Sequence, residues 1–327
     1  MEFKSGFLPP IRLITFDTDQ RQATNPKTPT DLRWRRVEEF LTARTLTPNS
    51  QRAYRRELQR FLDWTDRAWA EVTPRQIAQF KAHLLEQGLS TNSTNRALAT
   101  LKSFFAWLMK AYPETIQHNP TPAVSLEKVP LPPPRDLSEP ELVALYSALG
   151  QRGETKLRDT ALLAVLSHGL RAGEVCGLNV SDYDGVRLTI CKAKDDSTGT
   201  VPLNRLSREE LSAYLEWRQS QGELFPDSPL FLSQGRNKGG SRLGYQGIYY
   251  IVKELGELAG IADLTPHRLR HTYATNLLLK GMDSLHARTL TRHKSEASFQ
   301  RYAKRAKAAA AERAFYQAIG EEPPPLE

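Results

Sequence analysis

Apolar residues recur at helical spacing in four stretches between residue 31 and about residue 112. This spacing places them on one face of each helix, where the faces can pack together and exclude water. Thr73 and Pro74 begin the third stretch, and proline is favoured at the first position of a helix. We therefore predict a small module of four helices. Its predicted core includes Trp34, Val37, Phe40, Leu41, Tyr54, Leu58, Phe61, Leu62, Ile77, Phe80, Leu84, Leu98, Leu101, Phe105 and Leu108.

Prolines mark the end of this module, at Pro120, Pro122, Pro130 and the run Pro132–Pro134. Such a run cannot continue a helix and stiffens the chain, so we predict a linker over residues 129–137. The predicted organisation is an extended or disordered arm at 1–30, a helical domain at 31–128, this linker, a second domain at 138–320 and a tail at 321–327.

The second domain is predicted to be mostly helical, with one small antiparallel sheet near its start. Ser138 and Glu141 have the spacing of a capping box, the signal for a helix start, and Ser207 and Glu210 repeat it. Between these signals lie two further helical patterns and two short β-like segments, the second near Thr200–Leu203. The fold class is therefore mainly α.

Net charge and cysteine content narrow the class of partner and the compartment. The chain of 327 residues carries a formal net charge of +8, which favours polyanionic partners such as DNA. Cys176 and Cys191 are the two cysteines, and both lie in apolar settings, so we expect free thiols and a cytoplasmic location. No apolar run reaches the about 18 residues of a membrane span, so we expect no membrane partner.

Basic side chains of the N-terminal module cluster on neighbouring helices. Four arginines lie on the predicted second helix, and further cations lie on the next two helices. Cationic helix faces are often only solvated, but several on adjacent helices also suit contacts to DNA phosphates. The candidate DNA-binding residues are Arg52, Arg55, Arg56, Arg60, Lys81, Arg96 and Lys102.

Five separated elements of the second domain carry side chains suited to phosphate chemistry. The first is an arginine at a helix start with an acid one turn later, and the second is a lysine in the predicted hairpin. The third is an H-x-x-R pair in a helix begun by proline, and a histidine and a tyrosine follow. In chain order these residues are Arg171 and Glu174, Lys194, His267 and Arg270, His293 and Tyr302.

Taken together, the five elements resemble the tyrosine recombinase (phage integrase) family, and the two-domain layout is most similar to its Xer and integron-integrase members. The resemblance covers about residues 31–319. It implies a SAM-like core-binding domain of four helices, followed by a mostly helical catalytic domain. It also implies a site-specific recombinase that cleaves and rejoins DNA through a 3′-phosphotyrosyl intermediate.

The resemblance assigns a role to each matched position. The two arginines would clamp the nonbridging oxygens of the phosphorane, and the hairpin lysine would protonate the leaving 5′ hydroxyl. The first histidine would accept and return the proton of the tyrosine nucleophile, and the second would hold a nonbridging oxygen. The implied catalytic residues are Arg171, Lys194, His267, Arg270, His293 and Tyr302, with Glu174 as an orienting residue.

Neither a nucleotide nor a metal is expected as cofactor. A covalent phosphotyrosyl link conserves the energy of the broken bond, and no G-x-x-x-x-G-K-[ST] phosphate loop occurs. His267 and His271 have the spacing of a zinc pair, but Arg268 and Arg270 lie between them and would repel a dication. The expected partner is double-stranded DNA. By resemblance, the helix at 304–319 would dock on a neighbouring protomer to form a homotetramer on DNA.

Several alternatives stay open at this stage. Lys192 competes with Lys194 as the hairpin lysine, and Tyr316 is a rival nucleophile, although it lies too far from His293 for the family spacing. The family usually has glycine where this chain has Arg292, and we expect that bulk to affect the local turn. Two other functions compete with recombination: a catalytically silent DNA-binding protein of the same fold, and a type IB topoisomerase.

Overall fold

The computed structural model describes residues 32–129, 136–191, 198–222, 224–234, 240–293 and 296–322. Within the last helix, the side chains at 297, 298, 300–305, 307, 309 and 313 are outside this description. The described chain divides into two compact units, one on each side of residue 130. The predicted arm and most of the predicted linker and tail lie outside the described residues, so these boundaries stay predictions.

The N-terminal unit contains the helices α1 (Leu32–Thr42), α2 (Pro48–Trp64), α3 (Pro74–Glu86) and α4 (Thr91–Ala111). Side chains cap three of the helix starts: Thr47, Thr73 and Ser90 each accept a backbone N–H of the first turn. Thr73 and Gln76 form a reciprocal capping box around Pro74. The predicted helix start at Thr73 and Pro74 is thus confirmed. Each of the three caps satisfies a backbone donor that has no partner within the helix.

Aromatic rings fill the core of this unit. Phe40, Phe61 and Phe104 are fully buried, and the ring of Trp69 stacks on Phe61 with centroids 5.6 Å apart. Phe40 meets Phe104 edge to face at 5.3 Å. Such aromatic pairs each stabilise a fold by about 0.5–1.5 kcal/mol beyond the burial of their area. The helical stripes predicted from the sequence form this core.

The C-terminal unit begins with α5 (Glu139–Ala148), α6 (Lys156–Leu166) and α7 (Ala172–Gly177), followed by the strands β1 (Arg187–Ile190) and β2 (Gly199–Pro202). Five helices complete it: α8 (Arg205–Gln221), α9 (Tyr245–Leu258), α10 (Pro266–Leu279), α11 (Ser284–Thr291) and α12 (Glu296–Ile319). The strands pair antiparallel, with Leu188 opposite Val201. The unit is therefore mainly helical with a small two-stranded sheet, as predicted.

Helix α6 lies at the centre of this unit and packs against α8. Every side chain from Arg158 to Leu166 is buried, so the helix is covered on all sides rather than on one stripe. The two charged residues of this buried stretch are paired: the carboxylate of Asp159 accepts hydrogen bonds from Arg158 and from Arg152. This rigid central helix leads directly into the turn that carries Arg171.

The two capping-box predictions had different outcomes. Ser138 and Glu141 form the predicted box at the start of α5. The second prediction was wrong: α8 begins at Arg205, and Ser207 lies inside its first turn. The reason is that the side chain of Asn204 accepts the backbone N–H of Ser207, which starts the helix earlier.

Within the described residues, no helix combines the length and the apolar character that a membrane crossing requires.

Candidate active site

Arg171 stands at the N-cap of α7 and is held there by one carboxylate. Glu174 accepts the backbone N–H of Arg171 at 2.8 Å and its guanidinium Nη1 at 2.6 Å. Glu174 is only 4% exposed, whereas 37% of the side chain of Arg171 is exposed. The carboxylate therefore fixes the base of the arginine while the guanidinium still reaches the surface.

Glu174 binds a second guanidinium from the other end of the unit. Nη2 of Arg292 lies 2.6 Å from Oε2 of Glu174, and the carbonyl of Arg292 accepts Nη2 of Arg171 at 2.9 Å. Burial raises the pKa of Glu174, but Arg292 and the hydrogen bonds from Arg171 outweigh it and leave the pKa below its ordinary value. Glu174 is therefore ionised and orients both arginines.

Arg270, on the first turns of α10, is the largest fully buried side chain described, at 1% exposure. Its guanidinium donates to the carbonyl of Gly169, next to Arg171, and to the carbonyl of Thr291 at the end of α11. A guanidinium stays charged at any working pH, so the burial of Arg270 brings a permanent positive charge into the site. These two hydrogen bonds also tie α10 to the turn before α7 and to α11.

Gly169 is at a turn that only glycine suits. Its φ is +76°, in the left-handed region, and a Cβ there would lie 2.5 Å from Cδ1 of Tyr273. The close approach of the turn to α10 brings the Gly169 carbonyl within reach of Arg270. His168, one residue earlier, is a structural group: it bonds Ala164 O through Nδ1 and accepts the backbone N–H of Asn204 at Nε2.

His293 follows α11 and faces the two arginines. Its Nδ1 lies 2.7 Å from Oγ1 of Thr291 and 3.5 Å from Nη2 of Arg270. Burial, then the positive charges of Arg270 and Arg171, lower the pKa of His293 to about 3. The imidazole is therefore neutral at physiological pH, and it can donate or accept a hydrogen bond without carrying charge.

His267 and His271 lie one turn apart on α10, with ring centroids 4.6 Å apart and the rings edge to face. Both contribute, less than burial and the two arginines do, to the low pKa of His293. His267 is exposed, whereas His271 is half-buried. No group of three His, Cys, Asp or Glu side chains suited to a metal ion occurs among the described residues.

Helix α12 carries Tyr302 in its first half and packs against α10 and α11. Phe299, one turn before Tyr302, anchors this end: it is 2% exposed and clusters with Ala274 and Ala287. Its ring lies 5.5 Å from that of His293. The backbone at Tyr302 is thus near the site, and the side chain of Tyr302 is outside the described part of the structure.

The hairpin lysine lies beyond the described residues. β1 and β2 are present, but Lys192 and Lys194 belong to residues 192–197, which are outside the described chain. The choice between them therefore stays open. The near end of β2 contacts the site, because a Cβ on Gly199 would lie 3.3 Å from Cδ of Arg292.

The candidate DNA-binding cations of the N-terminal unit make ion pairs within it. Arg56, Arg60 and Arg96 all bind the carboxylate of Glu57, which is completely buried, at 2.9, 2.5 and 3.0 Å. Arg55 pairs with Glu38, and Lys81 pairs with Glu127. Arg52 bonds the side chain of Asn49, and Lys102 lies partly exposed on α4.

Two residues of these clusters were missed by the sequence analysis. Glu57 lies among arginines on α2, a pattern that gives no sign of a fully buried acid. Arg292 was noted only for its bulk at a glycine position. The sequence did contain one sign of the pair: Arg292 lies beside His293, Glu174 follows Arg171, and the two side chains have opposite charges.

The fold and site define a class, and comparisons with known proteins agree with it. A family model described as "Phage integrase family" matches residues 135–309, and one described as "Phage integrase, N-terminal SAM-like domain" matches residues 37–112. The chain therefore belongs to the phage integrase family and is a tyrosine recombinase.

Relatives agree with this assignment, and solved structures share the fold. The chain is 34% identical to "Tyrosine recombinase XerC" of Roseiflexus sp. (strain RS-1), covering 81% of this chain and 88% of the relative. It is also 34% identical to "Tyrosine recombinase XerD" of Proteus mirabilis, covering 81% and 87%. A structure of XerH site-specific recombinase bound to palindromic difH substrate is similar in fold, with a TM-score of 0.69, 22% identity and coverage of 86% and 83%. A lambda integrase dimer bound to a COC′ core site has a TM-score of 0.65, 20% identity and coverage of 82% and 93%.

Proposed function

We propose that this chain exchanges DNA strands between two specific sites, cleaving and rejoining each strand through a phosphotyrosyl bond to Tyr302. The observation that carries the proposal is the convergence of Arg171, Arg270 and neutral His293 beside the helix that bears Tyr302. Two permanent positive charges beside an uncharged imidazole suit a dianionic transition state. The relatives named as tyrosine recombinases support the proposal.

The two arginines are proposed to stabilise the phosphorane. Attack on a phosphodiester adds negative charge to the nonbridging oxygens, and a guanidinium can bind two oxygens at once. Arg171 is held by Glu174 and Arg270 by two backbone carbonyls, so both are oriented before DNA binds. Preorganised charge of this kind is usually the largest contribution to catalysis.

Proton transfer is proposed to use three further side chains. The phenol oxygen of Tyr302 attacks phosphorus and its proton passes to His267, while the bond to the 5′ oxygen breaks and Lys194 protonates that oxygen. Neutral His293 donates a hydrogen bond to a nonbridging oxygen. In rejoining, a 5′ hydroxyl gives its proton to Lys194 and attacks the phosphotyrosine, and the phenol oxygen of Tyr302 leaves with the proton returned by His267. The bond energy is retained in the covalent intermediate, so neither ATP nor a metal is required.

The N-terminal unit is proposed to contact DNA through Arg52, Arg55, Arg56, Arg60, Lys81, Arg96 and Lys102. Three of these cations converge on Glu57, which leaves the cluster with net positive charge and holds the guanidiniums of α2 and α4 together. The side chains of Arg56 and Arg96 are 58% and 50% exposed, so their remaining donors can reach phosphate. Contacts from these donors to phosphates would fix the position of the unit on DNA.

Assembly as a homotetramer is proposed to use the helix segment 304–319. Phe315 and Ile319 are 57% and 48% exposed, and they lie one turn apart on α12. An apolar pair left uncovered at the end of a helix suits docking on a neighbouring protomer.

The cytoplasm is the proposed location, since Cys176 and Cys191 are both free thiols.

Covalent trapping tests the proposal. The full chain is incubated, without added metal, with nicked or phosphorothiolate DNA carrying candidate sites, and adducts are resolved by denaturing electrophoresis. We expect an adduct with the wild type and with Tyr316→Phe, the matched control, and none with Tyr302→Phe. An adduct that persists in Tyr302→Phe would contradict the assigned nucleophile. Binding without any adduct would indicate a silent DNA-binding protein, and relaxation of plasmids without a special sequence would indicate a topoisomerase.

A further inference from the structure

Arg292 has a backbone conformation that is rare for its residue type. It caps the C-terminus of α11 in the left-handed region, with φ 52° and ψ 45°. Asp263 is the other non-glycine residue with positive φ among those described. A side chain in this region is disfavoured by contact between Cβ and the backbone, and such strained residues persist only where surrounding contacts hold them. Glycine, which has no Cβ, adopts this conformation without strain.

The contacts that hold Arg292 are all directed at the active site. The residue is 8% exposed. Its Nη2 donates to Glu174 at 2.6 Å and its Nη1 to the carbonyl of Leu290 at 2.9 Å, while its own carbonyl accepts Nη2 of Arg171 at 2.9 Å. Its side chain also lies against Gly199 at the start of β2. One residue thus contacts the acid, the exposed arginine and the hairpin.

The arrangement makes Glu174 a bridge between two guanidiniums. The side chains of Arg292 and Glu174 are 5% and 3% exposed, so their ion pair is nearly free of solvent screening. Arg171 is held at both ends, by Glu174 and by the Arg292 carbonyl. A glycine at this position would keep the carbonyl contact and lose the charge. The side chain therefore adds an interaction that the turn alone does not provide.

We propose that Arg292 is a positioning residue for DNA cleavage: it holds Glu174 ionised and in place, so that Arg171 is aimed at the scissile phosphate. The inference rests on the proposed function, because Arg171 has this task only if the chain cleaves DNA. In this proposal Arg292 acts through Glu174 and Arg171: its guanidinium donates to Glu174 and to the carbonyl of Leu290, and its own carbonyl accepts from Arg171.

The role predicts a defined response to pH. Without Arg292, burial of Glu174 is opposed by fewer positive charges, so the pKa of Glu174 rises and the carboxyl takes up a proton at a higher pH. A protonated Glu174 holds Arg171 weakly. The acid limb of the cleavage rate therefore moves to higher pH in Arg292→Gly, a change that a purely structural residue would not cause.

The experiment measures single-turnover adduct formation on nicked DNA, as a function of pH, together with DNA affinity. The full-length wild type is compared with Arg292→Gly, Glu174→Gln and the double variant. We expect Arg292→Gly to lower the rate roughly tenfold to hundredfold, with DNA affinity unchanged and the acid limb shifted upward. The cleavage rate of the double variant should fall no further than that of Glu174→Gln alone, because both substitutions remove the same ion pair between Arg292 and Glu174. Arg292→Lys should restore part of the rate.

Two results would overturn the inference: a wild-type rate and pH profile in Arg292→Gly, or additive losses in the double variant. If Arg292→Gly does not fold, Arg292→Gln takes its place in the same cycle, since it keeps hydrogen bonding and loses the charge. Failure of the proposed function is a separate result. It would be seen as a wild type that binds DNA and forms no adduct at any pH, in which case the positioning role falls with it.

Discussion

Nη2 of Arg270 lies 3.5 Å from Nδ1 of His293, so a permanent positive charge faces the imidazole inside the protein. The guanidinium has donors only, so Nδ1 can take part in a hydrogen bond with it only as an acceptor, with the ring proton then on Nε2. An Nε2–H group can donate to an oxyanion. The same contact, together with burial, removes the imidazolium form. Burial and the contact with Arg270 therefore together keep the imidazole of His293 uncharged.

The low pKa of His293 makes stability depend on pH. The pKa is lowered from 6.5 to about 3, so below 6.5 the unfolded chain binds a proton that the folded chain does not. The free energy of unfolding therefore decreases progressively as the pH falls from 6.5 toward 3. Burial also lowers the pKa of His168, so His168 changes the stability in the same direction. Urea unfolding at pH 7 and pH 5 should show a larger drop for the wild type than for His293→Gln. Equal drops would contradict the assignment.

Replacing Arg270 should destabilise the C-terminal unit. Arg270→Ala leaves the carbonyls of Gly169 and Thr291 without this donor, and each buried group left unsatisfied costs about 1–3 kcal/mol. Denaturant unfolding monitored by circular dichroism measures the loss. The matched control is Arg205→Ala, since the side chain of Arg205 is 86% exposed in its pair with Glu209 and should change stability by less than about 1 kcal/mol. Similar losses in both variants would argue against the structural role of Arg270.

The turn at Gly169 should not tolerate a methyl group. In Gly169→Ala the new Cβ would meet the ring of Tyr273, and the left-handed φ adds strain, so we expect a loss of about 1–3 kcal/mol and displacement of the carbonyl that binds Arg270. Gly150→Ala is the control, because nothing lies within 4 Å of a Cβ there. Thermal unfolding compares the two. An unchanged melting temperature in Gly169→Ala would show that the turn relaxes freely.

The arginines around Glu57 should control the salt dependence of DNA binding. If Arg60 contacts a phosphate, Arg60→Ala lowers the slope of log affinity against log salt by about 0.9. Fluorescence anisotropy over a salt series gives this slope. Arg35→Ala serves as control within the same unit, because Arg35 is a surface residue paired with Glu39 and is not among the proposed contacts. A slope that is the same in both variants and the wild type would remove Arg60 from the interface.

The exposed end of α12 should affect assembly rather than cleavage. The double change Phe315→Ser and Ile319→Ser removes two exposed apolar side chains, so the folded protomer should keep its stability. On DNA we expect single-site adducts at the wild-type rate and a loss of the tetrameric complex in analytical ultracentrifugation. Tetramers that persist in this variant would place the assembly surface elsewhere.

The local elements of this protein were predictable because their signals lie within a few residues of each other. The spacing of Phe40, Phe61 and Phe80 predicted helices whose faces are buried, and Ser138 with Glu141 marked a helix start that the structure contains. The start of α8 was misplaced, since Ser207 and Asn204 offer competing caps and the sequence does not rank them. The candidate catalytic residues stand along the chain in an order that indicates the family, and the family is confirmed.

Only the tertiary structure decided how charges are shared between distant segments. Glu174 and Arg292 are 118 positions apart, and their pairing exists because the turn before α7 and the end of α11 pack against the same helix, α10. Packing of segments that are distant in sequence also buries Glu57 among three arginines and lowers the pKa of His293. The sequence determined the helices and the chemical groups, since those depend on near neighbours. Burial and charge pairing depend on which segments meet in space, and packing of the whole unit determines that.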